Sequence, residues 1–463
     1  MTIREAAQSL RKRRLSAVEL TTAAISRIDR ANPGLRAFIT VTAGYAMERA
    51  RIADAELSTG RDRGPLHGIP IAVKDLFATR GIRTTAGSRI FENLVPNFSA
   101  TAVERLEQAG AVLLGKLNLH ELAYGITSAN PHFGAVSNPW SAEHIPGGSS
   151  GGSGAAVAAN MVYAALGTDT GGSIRIPAAF CGTVGLKPTY GRVSRHGVLP
   201  LAYSLDHVGP LTRSVHDAAL VLNAIAGWDE RDHSSSRHPA VEYSSEEGVS
   251  IRGLRIGFAH DFFFERLDPD VESSVRGACA RAESLGAVVK PVALPDMAAI
   301  NAIGRVILLA EASAHLEQYL GERRRFGPDV LSLLEQGRLI PATDYINAQR
   351  LRRRAQEQFD LVWGEVDCLL TPTTPLAAPR SGVQTVRLGG MEEDVRLAAT
   401  RLVRGFNVLG LPALSMPCGL SAQGVPIGLQ IAGPAFQEAL ILRVGAALEA
   451  GGVGIPPCQA AIA

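Results

Sequence analysis

Two glycine- and serine-rich clusters hold the residues of this sequence that are best suited to chemistry. They are Gly147-Gly-Ser-Ser-Gly-Gly-Ser-Gly and Gly167-Thr-Asp-Thr-Gly-Gly-Ser-Ile-Arg. Glycine allows close backbone approach, and small residues before Ser173 let backbone N–H groups point at a reacting oxygen. Cleavage of a peptide-type bond needs a nucleophile, a proton shuttle and donors for the oxyanion. The two clusters offer hydroxyls and backbone donors for such chemistry.

The segment between the clusters predicts a helix followed by a strand, which returns both loops to one end of a rigid support. It runs from Ala155 to Leu166 and is mostly apolar. A flexible linker does not fit, because the second cluster continues with Asp169, Arg175 and Pro177 in close order. A phosphate loop does not fit either, since no Lys-Ser or Lys-Thr follows the glycines and no GxGxxG occurs.

Lys74 ends another short apolar segment, Ile69 to Val73, which predicts a strand. A lysine at the end of a buried strand can lie at the sheet edge where sites form. Lysine is seldom buried, however, and usually keeps its charge in water. From the residue types alone, a surface position is therefore the expected one.

The clusters resemble the signature of the amidase signature family of serine hydrolases. The resemblance covers residues 65–227 and 367–450, and the segment 228–366 is weakly diagnostic. Besides the two clusters, it rests on four segments: Gly68-Ile-Pro-Ile-Ala-Val-Lys-Asp, Phe180-Cys-Gly-Thr-Val-Gly-Leu-Lys-Pro-Thr, Leu205-Asp-His-Val-Gly-Pro-Leu-Thr-Arg and Gly410-Leu-Pro-Ala-Leu-Ser-Met-Pro.

The resemblance implies a Ser–Ser–Lys triad that hydrolyses an amide through an acyl-enzyme. It makes Ser173 the nucleophile, Ser149 the proton shuttle and Lys74 the base. The family's name for the second serine, cis-serine, implies a cis or non-planar peptide bond to Gly148 or Ser150. Lys74 must be neutral to accept a proton, which requires burial and a lowered pKa.

The backbone amides around the nucleophile form the implied oxyanion hole. They belong to Thr170, Gly171, Gly172 and Ser173. Removing one such donor costs about 10²–10³ in rate in other enzymes.

Substrate-binding residues are implied less specifically. Tyr124 and Gly125 are expected to line the pocket, together with Ser150. The rest of the pocket is expected from the segments 120–130, 300–340 and 375–405.

Several polar residues near the clusters predict structural roles. Asp169 and Arg175 are expected to pair and hold the nucleophile loop. Ser150 and Ser153 predict N-caps for the helix that begins near Gly151. His120 predicts a structural hydrogen-bonding residue, because it lacks HExxH spacing. Cys181 predicts a small core residue rather than a nucleophile.

The substrate is left open among several branches of the family. The main alternative is the A subunit of glutamyl-tRNA(Gln) amidotransferase, a glutaminase that passes ammonia to a tRNA-binding partner. That protein has an aspartate seven residues before the asparagine corresponding to Asn407, and this sequence has Thr400 there. The malonamide-hydrolysing branch has an arginine three residues after the nucleophile, where this sequence has Ile176. These differences favour a stand-alone amidase acting on small amides, aryl amides or carbamate-like bonds. A non-catalytic scaffold is the alternative from another class.

The composition of the 463 residues limits the partners and the compartment. With 46 basic and 44 acidic residues the net charge is +2, which does not indicate a nucleic-acid surface. No apolar run approaches a membrane span, and no signal peptide is visible at the N-terminus. Five cysteines without a CxxC pair favour reduced thiols in the cytoplasm and no zinc site. We expect no cofactor, no metal, a small amide substrate and no nucleic-acid or membrane partner; a homodimer is left open.

The order of strands and helices predicts one α/β domain over 1–463, with a mixed central sheet and helices on both faces. Its parts are a helical N-terminal segment (1–60), the signature core (65–227), a less diagnostic and partly pocket-forming region (228–366) and a C-terminal part (367–463).

Several boundaries follow from local signals. Asn32-Pro33-Gly34 predicts a helix end. The segments 228–250 and 375–393 predict loops, and residues 394–406 predict one helix. The strand–helix–strand order over 254–292 predicts parallel pairing.

Overall fold

An eleven-stranded mixed sheet organises the molecule, whose computed structural model describes residues 1–244 and 250–459. The fifteen strands found in these residues, including two separate two-stranded sheets, are β1 (Phe38–Val41), β2 (Pro70–Lys74), β3 (Val112–Leu117), β4 (Ala129–Asn130), β5 (Gly134–Ala135), β6 (Ala164–Asp169), β7 (Val184–Lys187), β8 (His207–Thr212), β9 (Arg255–Phe258), β10 (Val288–Pro291), β11 (Cys368–Pro372), β12 (Thr385–Leu388), β13 (Met391–Asp394), β14 (Ala413–Leu420) and β15 (Pro426–Ala432).

Helices cover both faces of this sheet, as predicted. The α-helices of the described residues are α1 (Ile3–Arg11), α2 (Ala17–Leu35), α3 (Ala43–Ser58), α4 (Thr101–Gln108), α5 (Gly151–Ala158), α6 (Arg175–Cys181), α7 (Val215–Ile225), α8 (Pro269–Ser284), α9 (Met297–Leu316), α10 (Pro328–Gly337), α11 (Ala342–Asp360), α12 (Val362–Glu365), α13 (Val395–Arg401), α14 (Arg404–Leu409) and α15 (Glu438–Ala450). Short 3₁₀ helices span Arg89–Phe91, Glu121–Ala123 and Glu317–Arg325.

The strand order is β1-β3-β2-β6-β8-β7-β14-β15-β11-β9-β10. The neighbours β3, β2 and β6 run parallel, as do β11, β9 and β10, and the intervening pairs are antiparallel. The parallel pairing predicted over 254–292 is therefore confirmed by β9 and β10. Every residue of β2, β3 and β6 is buried, as expected for strands covered on both faces.

The segment between the two glycine-rich clusters folds as predicted, into α5 followed by β6. All residues of α5 are buried, and the helix packs against β2, β6 and β8. Small residues permit this close packing. A Cβ on Gly152 would lie 2.3 Å from the Asn118 carbonyl oxygen.

A predicted helix end and a predicted loop are wrong. Helix α2 continues through Pro33 to Leu35, because a proline in the last turn interrupts little of the remaining hydrogen bonding. The predicted loop 375–393 contains the hairpin of β12 and β13. Its turn, Gly389-Gly390, has positive φ at both residues, which is the two-residue hairpin signal that the prediction overlooked.

The predicted helix 394–406 is two helices, α13 and α14. They are separated at Leu402 and Val403, whose carbonyl oxygens accept hydrogen bonds from Gln430 Nε2 (3.1 Å) and Arg175 Nη1 (2.9 Å). These side-chain donors take the place of the next turn's N–H groups. The break therefore belongs to the hydrogen-bond network of Arg175, which lies next to the loop between β6 and α6.

One helical stretch is as long as a membrane span, although charged residues interrupt its apolar sequence. Met297–Arg325 is long and apolar enough to cross a membrane by length and composition. In the structure, α9 packs against α10, α11 and α14, and half of the apolar window is buried. A helix in the core of a globular protein passes the same test of length and composition, and α9 makes helix–helix contacts of that kind. The loop predicted over 228–250 has neither helix nor strand in residues 228–244; residues 245–249 lie outside the described residues.

Candidate active site

Lys74 and the second glycine-rich cluster lie at the same edge of the sheet. Lys74 is the last residue of β2, and β6 ends at Asp169. The two strands are parallel, with Val73 opposite Leu166. Because the carboxyl ends of parallel strands share an edge, the lysine meets the loop after β6.

The surface position expected for Lys74 from its residue type alone is wrong, because the side chain is 0% exposed. Its Nζ lies 2.8 Å from Ser149 Oγ and 2.8 Å from Thr168 Oγ1. Burial lowers the pKa of Lys74 from 10.5 to about 7, although the carboxylates of Asp206 and Asp169 oppose this shift. An amine with this pKa is partly neutral at pH 7 and can accept a proton.

Ser149 is buried beside the lysine, and its backbone is held on both sides. The Gly148–Ser149 peptide bond is cis, which is one of the two bonds implied by the family resemblance. The Ser149 carbonyl oxygen accepts a hydrogen bond from the His120 N–H at 3.0 Å. The Gly147 carbonyl oxygen accepts one from Ser128 Oγ at 2.9 Å.

Ser173 lies in the loop between β6 and α6, and one backbone hydrogen bond ties this loop to the first cluster. The Ser150 N–H donates to the Ser173 carbonyl oxygen at 3.2 Å. Ser173 is 8% exposed, whereas Ser149 and Lys74 are 0% exposed. Ser173 is thus the member of this set that lines a cavity open to a substrate.

The four amides expected in the oxyanion hole are not equivalent. The Gly172 N–H donates to Asp169 Oδ1 at 2.7 Å, so it is already occupied, and Gly172 is removed from the predicted donors. Its own role is conformational. At a φ of +122°, a Cβ on Gly172 would lie 2.4 Å from Val403 Cγ2. The amides of Thr170, Gly171 and Ser173 remain candidates.

Asp169 and Arg175 form the predicted pair behind the loop that contains Ser173, and both are fully buried. Arg175 Nε and Nη2 each donate to the Asp169 carboxylate at 3.0 Å. Asn407 joins them, since its Nδ2 donates to Asp169 Oδ1 at 2.8 Å and its Oδ1 accepts from Arg175 Nη2 at 2.7 Å. Burial opposes ionisation, but Arg175 and its neighbours hold the pKa of Asp169 below its usual range. The pair is a charged anchor, since an ionised carboxylate of this kind holds no proton to exchange.

Ser150 and Ser153 do not cap α5 with their side chains, contrary to prediction. Ser150 is the N-cap residue, but its hydroxyl makes no cap hydrogen bond and instead donates to the Thr168 carbonyl oxygen at 3.2 Å. Ser153 Oγ donates to the Leu166 carbonyl oxygen at 3.1 Å. Both hydroxyls therefore join α5 to β6. Ser150 is also fully buried and does not line the cavity at Ser173, so the structure does not support it as a substrate-binding residue.

His120 and Cys181 have the kind of contacts expected of structural residues. His120 Nε2 lies 2.9 Å from Asp329 Oδ2, and its Nδ1 lies 3.3 Å from Thr127 Oγ1. Cys181 is buried in the core, and burial raises the pKa of its thiol.

The cavity that contains Ser173 has a volume of about 260 Å³. Its lining comes from the segments expected from the family resemblance, with Tyr124 and Gly125 among its residues, and from the nucleophile loop and Leu201. The lining residues are Ala123, Tyr124, Gly125, Ile126, Thr170, Gly171, Ser173, Leu201, Arg305, Leu308, Leu309, Leu333, Asp394, Arg396, Leu397, Thr400 and Arg404.

A larger cavity of about 680 Å³ adjoins this one but does not include Ser173. It shares the wall residues Ala123 and Leu201 with the smaller cavity. Thr168, which contacts Lys74, and Asp206 line it. Of these two cavities, the smaller one gives access to Ser173.

Four residues of the site were missed individually by the sequence reasoning: Thr168, Asp206, Arg305 and Arg404. Thr168 contacts Lys74, and Asp206 accepts a hydrogen bond from Thr170 Oγ1 at 2.6 Å. Arg404 reaches the loop that contains Ser173, since a Cβ on Gly171 would lie 3.7 Å from Arg404 Nε. Thr168 and Asp206 lie inside segments already singled out for the resemblance. No local signal marked Arg404.

Comparison with known proteins identifies the family of this chain. The family model named Amidase matches residues 19–442. The chain belongs to the amidase family. It is an amide-hydrolysing enzyme of the α/β type, as the resemblance predicted.

Individual relatives lie in more than one branch of the amidase family. The chain is 42% identical to the A subunit of glutamyl-tRNA(Gln) amidotransferase from Geotalea daltonii, over 97% of this chain and 96% of that protein. A structure that links an s-triazine catabolic enzyme to a vestigial protein complex has a TM-score of 0.95 and 35% identity, covering 98% and 99% of the two chains. The peptide amidase of Stenotrophomonas maltophilia has a TM-score of 0.85 and 33% identity, covering 100% and 99%.

Proposed function

We propose that this amidase cleaves its substrate through an acyl-enzyme on Ser173, with Ser149 as proton shuttle and Lys74 as base. The observation that carries the proposal is the contact of a fully buried Lys74 Nζ with Ser149 Oγ at 2.8 Å. A buried lysine with a lowered pKa next to a hydroxyl is the arrangement that a neutral amine base requires.

In the first half-reaction, Lys74 takes the proton of Ser149, and Ser149 takes that of Ser173. Ser173 Oγ then bonds to the substrate carbonyl carbon, and the negative charge moves to the carbonyl oxygen. The amides of Thr170, Gly171 and Ser173 are the candidate donors to that oxyanion. When the C–N bond breaks, the relay returns the proton to the departing nitrogen.

In the second half-reaction, water attacks the ester carbonyl of the acyl-enzyme. Its proton enters the same relay, and the ester C–O bond breaks as the proton returns to Ser173 Oγ. The products are a carboxylic acid and an amine or ammonia. No group outside the relay is needed for the proton balance.

The proposal is tested with Ser173→Ala, Ser149→Ala and Lys74→Ala on a chromogenic anilide, with folding checked by circular dichroism. Folded Ser173→Ala should show no turnover above background. Turnover like that of the wild type in folded Ser173→Ala would refute Ser173 as the nucleophile.

We favour a stand-alone amidase. Its substrate class would be small amides, aryl amides or compounds with a carbamate-like bond. The specific alternative, the glutaminase of an amidotransferase, is favoured by the 42% identity to the Geotalea daltonii protein. Against it, Thr400 lines the cavity, and a hydroxyl is a poor partner for the ammonium group of glutamine in a partly dry site. Turnover of glutamine to glutamate, together with co-purification of partner subunits, would favour the alternative.

The assembly and compartment remain part of the proposal. All five cysteines are free, which supports the proposed cytoplasmic location. Light scattering after purification from the native source measures the mass of the assembly. A mass of two copies of this chain would indicate a homodimer, and another mass would indicate a complex with a different protein. A single domain over 1–463 also remains a proposal, with cooperative unfolding as its test.

A further inference from the structure

The cavity at Ser173 carries an excess of positive charge. Three arginines line it, Arg305, Arg396 and Arg404, together with one carboxylate, Asp394. Asp394 lies 3.4 Å from Arg396 Nη2, and it accepts hydrogen bonds from the Arg396 and Leu397 N–H groups. Within residues 1–244 and 250–459, no carboxylate oxygen lies within 4.0 Å of the guanidinium of Arg305 or Arg404. The charges of these two arginines are thus uncompensated at close range.

Arg404 is placed to reach a substrate bound at the nucleophile. Its Nη2 donates to Thr400 Oγ1 at 2.7 Å, which fixes one end of the guanidinium. Its Nε is buried and has no hydrogen-bond partner among the described residues. Nε also lies on the side of Gly171, at 3.7 Å from the position of a Cβ there. A buried charged donor without an acceptor is costly unless a ligand supplies one.

Tyr124 supplies a second unsatisfied donor in the same cavity. The residue is 6% exposed, and its hydroxyl is buried without a hydrogen-bond partner in the described part of the chain. Burial raises the pKa of this hydroxyl, and the positive charges of Arg404 and Arg305 act in the opposite direction. Burial, and after it the positive charge of Arg305, lowers the pKa of Arg404 to about 10. The two guanidinium groups therefore repel each other, and an anion near them would remove that cost.

We propose that the substrate is a small amide that carries a carboxylate, bound by Arg404 and Arg305 with the Tyr124 hydroxyl as a further donor. This rests on the proposed function of Ser173 and names the substrate class for that site. Guanidinium is well matched to a carboxylate, because its planar fork can donate two parallel hydrogen bonds.

The size of the cavity limits the length of the substrate. A volume of about 260 Å³ must hold both the scissile amide and the carboxylate, which favours a monoamide of a short dicarboxylic acid. Leucines form much of the remaining wall, among them Leu308, Leu309 and Leu333. They suit a short methylene chain between the two polar ends. The same positive charge disfavours an ammonium group next to these arginines, and this separates glutamine, which carries one, from the corresponding amide without an amino group.

The experiment compares kcat/KM for succinamate with that for succinamide, its neutral isostere, in wild type and variants. Malonamate and glutaramate extend the series by chain length. We expect the wild type to prefer the best carboxylate substrate by about 10- to 100-fold, the range for a hydrogen-bonded charge pair. Arg404→Met should lose most of this preference through a higher KM, while succinamide is affected much less. Arg305→Met should lose a smaller part of the preference, because the Arg305 side chain is exposed to water.

Arg396→Met is the matched control, because it removes a positive charge of the same cavity that is exposed, like Arg305, but already paired with Asp394. It should change the preference by less than about threefold, as expected for an exposed pair. Arg404→Lys keeps the charge but not the fork, and should retain an intermediate preference.

Binding to Ser173→Ala separates this inference from the proposed mechanism. Calorimetric titration with succinamate, malonamate and glutaramate should show binding that Arg404→Met removes, whether or not the wild type turns these amides over. The inference is overturned if neutral amides are equal or better substrates. It is also overturned if the preference survives in both Arg404→Met and Arg305→Met, or if the inactive variant binds none of the three carboxylates. Turnover of neutral amides alone would leave the role of Ser173 intact.

Discussion

The pH dependence of kcat/KM should report Lys74. Its pKa lies at about 7 because burial disfavours the ammonium form. A base with this pKa is neutral in about 1% of molecules at pH 5, about half at pH 7 and nearly all above pH 9. We therefore expect kcat/KM to rise about 100-fold from pH 5 to its plateau, with the midpoint near pH 7.

The assay is hydrolysis of one neutral amide at low substrate concentration between pH 5 and 10, with stability checked at each pH. A lysine with the ordinary pKa of 10.5 would instead give a rate that still increases about tenfold per unit at pH 9. A rate that rises without a plateau to pH 10 would refute the reasoning. Asp206→Asn tests the direction of the electrostatic effect on the pKa of Lys74, because the Asp206 carboxylate favours the lysine ammonium. Removing it should lower the pKa of Lys74 and move the midpoint to lower pH.

Further predictions concern the relay, the anchor and the stability of the fold. Ser149→Ala should keep more activity than Ser173→Ala, because water can replace a shuttle hydroxyl. The double variant Lys74→Ala/Ser149→Ala should have a kcat/KM only slightly below that of Lys74→Ala, and strongly additive losses would contradict a single relay. Arg175→Met should lower the free energy of unfolding by about 3–5 kcal/mol in urea titrations, because it leaves the Asp169 carboxylate buried and unpaired; a loss below about 1 kcal/mol would contradict this. The unfolded chain binds more protons at Lys74 than the folded chain between about pH 7 and 10, so wild-type stability should gain up to about 1.4 kcal/mol per pH unit there relative to Lys74→Met; equal slopes would show that Lys74 has no lowered pKa. Dialysis against EDTA should leave kcat/KM unchanged, whereas loss of activity that zinc restores would contradict the proposed relay.

The sequence was informative where a residue's role depends on its immediate neighbours. The apolar segment before Lys74 predicted β2, and the segment between the clusters predicted α5 and β6. The pairing of Asp169 with Arg175 could also be expected, because the two residues flank the same loop. The burial of Lys74 could not be expected from its residue type, since it depends on β3 and β6 on either side of β2.

Contacts between distant parts of the chain were not predictable from local signals. Serine at the start of a helix predicts a cap, yet Ser150 and Ser153 bond to β6, because α5 packs directly on that strand. The break between α13 and α14 depends on Arg175 and Gln430, which lie far away in the sequence.

The substrate cavity illustrates the same limit. Arg305 and Arg404 are one arginine each on two helices, α9 and α14, and neither has a local signal for a binding role. They come together because α14 packs against α9. Gly304 permits the approach of the two helices, since a Cβ there would lie 2.5 Å from Val408 Cγ2 on α14. The charge of the site therefore becomes visible only in the folded chain.

Trapping the acyl-enzyme tests the central claim most directly. Wild type and Ser173→Ala are mixed with a slow aryl ester or carbamate, quenched in acid within one turnover, digested and examined by mass spectrometry. We expect the acyl group on Ser173 in the wild type and on no residue of the variant. An acyl group on Ser149 or Ser150, or steady turnover by the wild type with no acylated serine under conditions where deacylation is the slow step, would contradict the account.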